Sequence, residues 1–315
     1  MKLSDYYIDK QLIYTSPISE IYKATDKHTN LLVCLKIMDE DFQPAPHSIF
    51  REISILKRFR SQAQQHHIIE YLTDMKFFDD VILVTTLYEY NMTNLMKTPK
   101  YCKRMSKFQD DGSIEYQLIN KVTDHDIRAW LTCMAQALAF LRDNGVIHRD
   151  IKPSNIMFAA QDITKPVLGD FGICYDVNDP PLDEATEKHN DISSGIYKPP
   201  EVILDNGYDY GVDVWGVAII LTILYASDFK SVLDDKDEDG DTDVGDLALL
   251  NRIIVSFGTD DLECRMLELP DCKRRPSAEL IPRCLDKLIS ELFVKMTEYD
   301  TKKRITANEL YDALK

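Results

Sequence analysis

The stretch His148-Arg149-Asp150-Ile151-Lys152-Pro153-Ser154-Asn155 decides how the rest of the chain is read. It follows a helical pattern over residues 127–144 that stops at Gly145. Fifteen residues beyond Asn155 stands Asp170-Phe171-Gly172, preceded by the apolar pair Val167-Leu168, which suits the end of a short strand. Each grouping alone is a weak signal; both together, in this order and at this gap, make a strong one.

Upstream, the first ninety residues alternate short β-branched and aromatic runs, at 31–37 and 81–87, with one helical pattern at Ile49–Phe59. That predicts a small, mostly β lobe over residues 1–90. Beyond about Thr93, long amphipathic patterns at 127–144, 212–226 and 285–297 predict a larger, mostly helical lobe over 91–315. Residues 97–123 are polar, mixed in charge and without a clean period, and read as a mobile inserted loop between two helices. Residues 234–246 hold eight acids and one Lys and read as an acidic insert.

Composition narrows the class. The 315 residues carry 53 acidic and 37 basic side chains, a net charge of −16, which excludes a nucleic-acid-coating protein. Hydrophobic residues at 44% and charged residues at 29%, with 11 Gly and 13 Pro, match an ordinary globular chain. The longest apolar run, 217–226, has ten residues including Thr222, short of the roughly 18–20 that cross a bilayer, so it reads as a buried helix and no membrane contact is expected. Met1-Lys2-Leu3-Ser4-Asp5 opens a polar segment with no apolar leader, so residence in the cytoplasm or nucleus is expected. The seven cysteines show no paired spacing and read as reduced thiols.

The two groupings around Asp150 and Asp170 resemble the H-R-D-x-x-x-x-N catalytic loop and the D-F-G turn of protein kinases. Phosphoryl transfer from ATP asks for phosphates and Mg²⁺ held in place and a hydroxyl aimed in line. The resemblance makes Asp150 the acceptor of the hydroxyl proton and Asn155 and Asp170 the Mg²⁺ ligands. Lys152 would neutralise charge on the transferring group, and Ser194 joins the catalytic residues. A Lys two residues after the Asp favours serine/threonine specificity. Val33-Cys34-Leu35-Lys36 matches the V-A-I-K strand, and Glu52, in Phe50-Arg51-Glu52-Ile53-Ser54-Ile55-Leu56, is the implied partner of Lys36. Ile13, Ile21 and Cys34 would line the ATP site with Glu89, Tyr90 and Asn91 of a hinge in which Tyr88 is a bulky gatekeeper. Pro199-Pro200-Glu201 stands at A-P-E, Asp213 and Trp215 match D-x-W, and Arg304 is the implied buried partner of Glu201. The likeness spans residues 7–314 and implies an α+β, two-lobed kinase fold in one domain, with ATP and Mg²⁺ as cofactors.

Two departures stand out. The G-x-G-x-x-G positions fall on Tyr14-Thr15-Ser16-Pro17-Ile18-Ser19, with no glycine, which alters the grip on ATP phosphates. In cyclin-dependent kinases the activating phosphothreonine lies twelve residues before the Glu of A-P-E; here that residue is His189. Of the three arginines such kinases gather around the phosphate, Arg51 and Arg149 are present and Tyr175 replaces the third, so Glu187 or Asp191 is expected to pair with Arg51 and Arg149 instead. That pairing would make the enzyme active without upstream phosphorylation.

The helix at Arg51 and the segment Leu249-Leu250-Asn251-Arg252-Ile253-Ile254-Val255-Ser256-Phe257-Gly258-Thr259 look like relatives of cyclin-dependent kinases. With the glycine-free loop and Asp191-Ile192-Ser193-Ser194-Gly195-Ile196-Tyr197-Lys198, the chain is similar to the single-subunit cyclin-dependent-kinase-activating kinases of fungi. That likeness implies a monomer acting on the activation-loop threonine of a cyclin-dependent kinase, and the net charge of −16 argues against a nucleic-acid partner. The rivals are a cyclin-dependent-like kinase with other substrates and a non-catalytic kinase-like scaffold. Residues 235–246 imitate a D-x-D-x-D-G calcium loop, but the twelfth residue is Asp246 rather than Glu and a kinase insert explains the location. His66 and His67, adjacent on a loop, diverge and make no metal site.

Overall fold

β-branched and aromatic residues build the first lobe as a five-stranded antiparallel sheet: β1 (Tyr7–Thr15), β2 (Glu20–Asp26), β3 (Leu32–Asp39), β4 (Tyr71–Phe77) and β5 (Asp80–Thr86), in the order β1-β2-β3-β5-β4. The computed structural model describes residues 3–108, 113–234, 245–264 and 269–315. Between β3 and β4 runs α1 (Ile49–Phe59), started by Ser48, whose Oγ accepts the Arg51 N–H. Its buried face, Ile49, Glu52, Ile53, Leu56 and Phe59, rests on the sheet and on the second lobe, where Phe59 meets Phe140 edge-on at 4.9 Å. Such an aromatic pair contributes about 0.5–1.5 kcal/mol beyond the area it buries.

The second lobe opens with β6 (Tyr90–Asn91) and α2 (Met92–Met96). Where residues 97–123 read as a mobile loop, the chain instead forms a ribbon of β7 (Cys102–Phe108) and β8 (Ile114–Asn120), in register from Cys102 opposite Asn120 to Phe108 opposite Ile114. Arg104 lies over the Tyr116 ring at 3.8 Å. Asn120 anchors the base: its backbone N–H donates to Ser227 O and its carboxamide to Leu224 O and Ala226 O, each at 2.8 Å. The period is missing from the sequence because both faces of the ribbon are largely exposed, so nothing selects apolar residues at every second position.

The helical body follows. A Thr123–Asp126 capping box starts α3 (Asp124–Asp143), and after β9 (Val146–Ile147) come the paired strands β10 (Ile156–Ala159) and β11 (Asp162–Leu168), then β12 (Tyr175–Asp176). β10 lies between β11 and β6, and β12 pairs with β9. α4 (Pro200–Ile203) precedes α5 (Gly211–Tyr225), apolar all round and buried at every position after Gly211, as a helix at the centre of a lobe must be. α6 (Asp246–Phe257), α7 (Ser277–Leu280), α8 (Lys287–Met296) and α9 (Ala307–Leu314) complete the lobe. One apolar cluster runs from α1 through α3 and α5 to α9, joining the two lobes. Among the described residues no helix is long and apolar enough to cross a membrane. The acidic stretch read at 234–246 lies outside the described residues over 235–244; its last residue, Asp246, begins α6 and pairs with Lys198 at 2.9 Å.

Candidate active site

Asp213, buried on α5, organises the loop after β9: its two carboxylate oxygens accept the backbone N–H groups of His148 and Arg149, both at 2.8 Å. Burial raises its pKa, although those bonds and the nearby His148 and Arg149 oppose the shift. Arg149 is thereby held at φ 70, a left-handed backbone unusual for a non-glycine residue, which turns the chain toward Asp150. His148, fully buried, sets its Nε2 3.1 Å from Gly169 O and its ring against Phe171, linking this loop to the Asp170 turn.

Around Asp150 the predicted catalytic residues converge. Asn155 Nδ2 donates to the Asp150 backbone oxygen and to Oδ2, both at 2.9 Å. Lys152 Nζ lies 2.9 Å from Asp150 Oδ2 and 2.9 Å from Ser194 Oγ, and Ser194 Oγ donates to Asp150 Oδ1 at 3.1 Å. The cluster holds one carboxylate ready to accept a proton beside one lysine that supplies positive charge.

A second cluster faces it. Lys36 Nζ sits 2.7 Å from both Glu52 Oε2 and Asp170 Oδ1, joining β3, α1 and the Asp170 turn. Glu52 Oε1 also accepts the Phe171 N–H at 3.1 Å, and Ser48 N–H donates to Gly172 O at 2.8 Å, so α1 is locked against the turn. Burial works against the charge on Asp170, but Lys36 outweighs it and holds the carboxyl well below the usual range. Burial pushes Glu52 up, because one ammonium shared by two carboxylates cannot offset the desolvation of both. His47, just before α1, is lowered by burial and lies within the fields of Asp170, Lys36, Asp150 and Lys152, a neighbour that no motif pointed to.

A nucleotide with a divalent cation fits these groups. Among the described residues, Asn155 Oδ1 and Asp170 Oδ2 carry no hydrogen bond from the protein, which leaves two oxygens for a hard cation, with the Lys36 ammonium beside them for phosphate. When bound, the cation neutralises charge on the phosphates. Of the residues expected around ATP, Ile21 and Cys34 lie on β2 and β3 beside Lys36, and Ile13 occupies the bulge of β1 between Leu12 and Tyr14. The gatekeeper is corrected. Cys34 stands opposite buried Thr85 on β5, whereas Tyr88 lies past the strand's end, so Thr85 and not Tyr88 is the neighbour of Cys34 on the sheet. Family likeness alone, without the β3–β5 pairing, cannot see this register. Tyr90 and Asn91 already belong to the second lobe, paired with Phe158 and Met157 of β10; the Asn91 side chain caps α2 by accepting the Asn94 N–H, and Glu89 accepts the Ala160 N–H.

In the segment from Asp170 to Glu201 the arginines close on an acid, but not on either expected one. Glu187 and Asp191 are exposed; the partner is Glu184, 1% exposed, which receives both terminal nitrogens of fully buried Arg149 and lies 3.8 Å from Arg51. Glu184 also accepts the His189 N–H at 3.0 Å, while Tyr208 Oη accepts from Arg149 at 3.1 Å and donates to His189 O at 2.8 Å. Position 184 is chosen because Leu182–Glu184 forms a single tight turn that points its last side chain inward. Tyr175, in place of the third arginine, lies between the Arg149 and Lys188 cations, 5.6 and 5.3 Å from its ring. Glu201 and Arg304 form the implied buried pair, at 2.5 and 2.9 Å, with the guanidinium 5.2 Å from the Trp215 ring centroid. His66 stacks on Phe140 at 4.1 Å, and His67 Nδ1 faces Pro166 O at 3.1 Å.

Comparison with known proteins agrees with this geometry. The model of the protein kinase domain matches residues 9–313. The Saccharomyces cerevisiae "Serine/threonine-protein kinase CAK1" is 29% identical over 285 residues, covering 80% of this chain and 74% of that protein. The "Cyclin-dependent kinase B2-2" of Arabidopsis thaliana is 28% identical over 92% of this chain and 86% of its own length. The Drosophila melanogaster "Mitogen-activated protein kinase p38a" is 27% identical over 98% and 78%.

Proposed function

The chain belongs to the protein kinase family, and on that premise we propose that it phosphorylates the activation-loop threonine of cyclin-dependent kinases, as a monomer and without phosphate on its own activation segment. It is an ATP-dependent protein kinase of the serine/threonine class, with relatives among cyclin-dependent and mitogen-activated kinases, and such a domain implies ATP and a divalent metal. The metal in this reading is Mg²⁺, held by Asn155 and Asp170.

Glu184 carries the reading. The Arg149–Glu184 pair, with Arg51 3.8 Å from the same carboxylate, supplies from within the chain the negative charge that a phosphate would otherwise bring, which supports activity without upstream phosphorylation. His189 stands where that phosphate would attach and already donates its N–H to Glu184. The likeness to the fungal activating kinases supports the choice of substrate. In this reading the enzyme works in the cytoplasm or nucleus.

The test incubates the purified chain with Mg²⁺, labelled ATP and a kinase-dead cyclin-dependent kinase or its activation-loop Thr→Ala variant, with Asp150→Asn enzyme as control. Label on the intact threonine alone is expected. Label on both substrates would discard the proposed target but keep the kinase, and nucleotide binding with no transfer to any protein would favour a scaffold.

A further inference from the structure

The turn joining β1 to β2 sits where a glycine-rich loop would offer backbone N–H groups to phosphates. Here those donors are spent within the turn. Ser16 N–H donates to Ser19 O at 2.9 Å, Pro17 has no N–H, and the Ile18 and Ser19 N–H groups both donate to Ser16 Oγ, at 3.3 and 3.0 Å. Ser16 and Ser19 hydroxyls also lie 3.1 Å apart. Ile18 is half-buried and packs on the apolar cluster that joins the lobes, so the turn is held from its tip as well as from within. The flanking register, Tyr14 opposite Ile21 and Thr15 opposite Glu20, continues straight into it.

We propose that Ser16 is a positioning residue that closes the nucleotide loop on itself, so that the loop covers the site without gripping the phosphates through its backbone. The inference rests on the reading of this cleft as an ATP site and deepens it. Binding would then come from the adenosine side of the cleft, from Lys36 and from Asn155 and Asp170, which would hold the metal, while the loop contributes shape alone. A loop of this kind needs no glycine, since none of the four residues Ser16 to Ser19 has a positive φ among the described residues. Turning the Ile18 and Ser19 N–H groups toward phosphate requires breaking two hydrogen bonds to Ser16 Oγ, a cost equivalent to about tenfold in affinity.

Isothermal titration of adenosine, ADP and ATP in Mg²⁺ buffer tests this on wild type, Ser16→Ala and Ser16→Thr. Ser16→Ala frees both N–H groups, so ADP and ATP should bind about tenfold more tightly while adenosine is unchanged; Ser16→Thr keeps the hydroxyl and should match wild type. An unchanged ratio of ATP to adenosine affinity in Ser16→Ala would overturn the inference. So would parallel weakening of all three ligands, which would mark Ser16 as a purely structural residue. Wild type that binds none of the three would instead refute the ATP reading of the cleft, a result distinct from either.

Discussion

Replacing Glu184 by Gln removes one charge and little volume at the point where the activation segment meets the catalytic loop. Arg149 is fully buried and its backbone is fixed by Asp213, so its guanidinium cannot follow solvent without opening the segment around it. Removing one partner of a buried ion pair costs about 3–5 kcal/mol, because the other charge is left uncompensated. Gln retains one acceptor oxygen, which places the variant near about 3 kcal/mol. If the ordered and opened segments are in two-state balance, that loss lowers the ratio of ordered to opened segments about a hundredfold, at 1.4 kcal/mol per factor of ten. Phosphorylation of a protein substrate should fall by up to that factor, with adenosine binding retained because Cys34 lies on the other lobe. Hydrogen exchange at the His189 amide, which donates to Glu184, should accelerate in step. Glu184→Asp, too short to reach both Arg149 and His189, should lie between. Phosphatase treatment of wild type should change nothing. A Glu184→Gln enzyme with wild-type rate and a protected His189 amide would refute the reasoning.

Three further outcomes are expected. Asp150→Asn should lose about 10²–10⁴ in transfer rate while binding ATP as wild type does, since the carboxylate acts on the substrate hydroxyl; rate assay and titration together check this. Arg304→Ala leaves Glu201 buried beside an empty position and should lower unfolding free energy by about 3–5 kcal/mol, read as a shift of the urea midpoint. Lys36 holds Asp170 below its unfolded pKa of about 3.9, so the unfolded chain binds the extra proton as pH drops. This group's stabilisation is complete above about pH 5 and is lost as pH falls; Asp170→Asn should therefore flatten the acid limb of urea midpoints below about pH 4, and an unchanged limb would contradict the assigned pairing.

Much of the site was legible in the sequence because its chemistry is local. Asp150, Lys152 and Asn155 lie within six residues, and the gap to Asp170 is short, so spacing alone brings them near one another. Lys36 and Glu52 could be named only through the likeness of Val33–Lys36 to the V-A-I-K strand of kinases, since both lie far in sequence from Asp170. Helices α1, α3, α5 and α8 announced themselves because each buries a face, or in α5 the whole surface, and burial selects apolar residues at helical spacing.

What only the tertiary structure decided involves groups far apart in sequence or unconstrained by burial. The β7–β8 ribbon is exposed on both faces and leaves no period to read. Thr85 rather than Tyr88 reaches Cys34 because pairing between β3 and β5 sets their register, and a slip of one residue would have turned a different side chain inward. Sequence supplied the two arginines and several candidate acids, yet Glu184 became their partner through the turn at Leu182–Glu184, which selects one carboxylate for burial. The Ser16 turn shows the same division: the missing glycines were plain in the sequence, but where the backbone N–H groups went was settled only when the chain closed on itself, since every buried or turned donor must find an acceptor in space rather than in sequence.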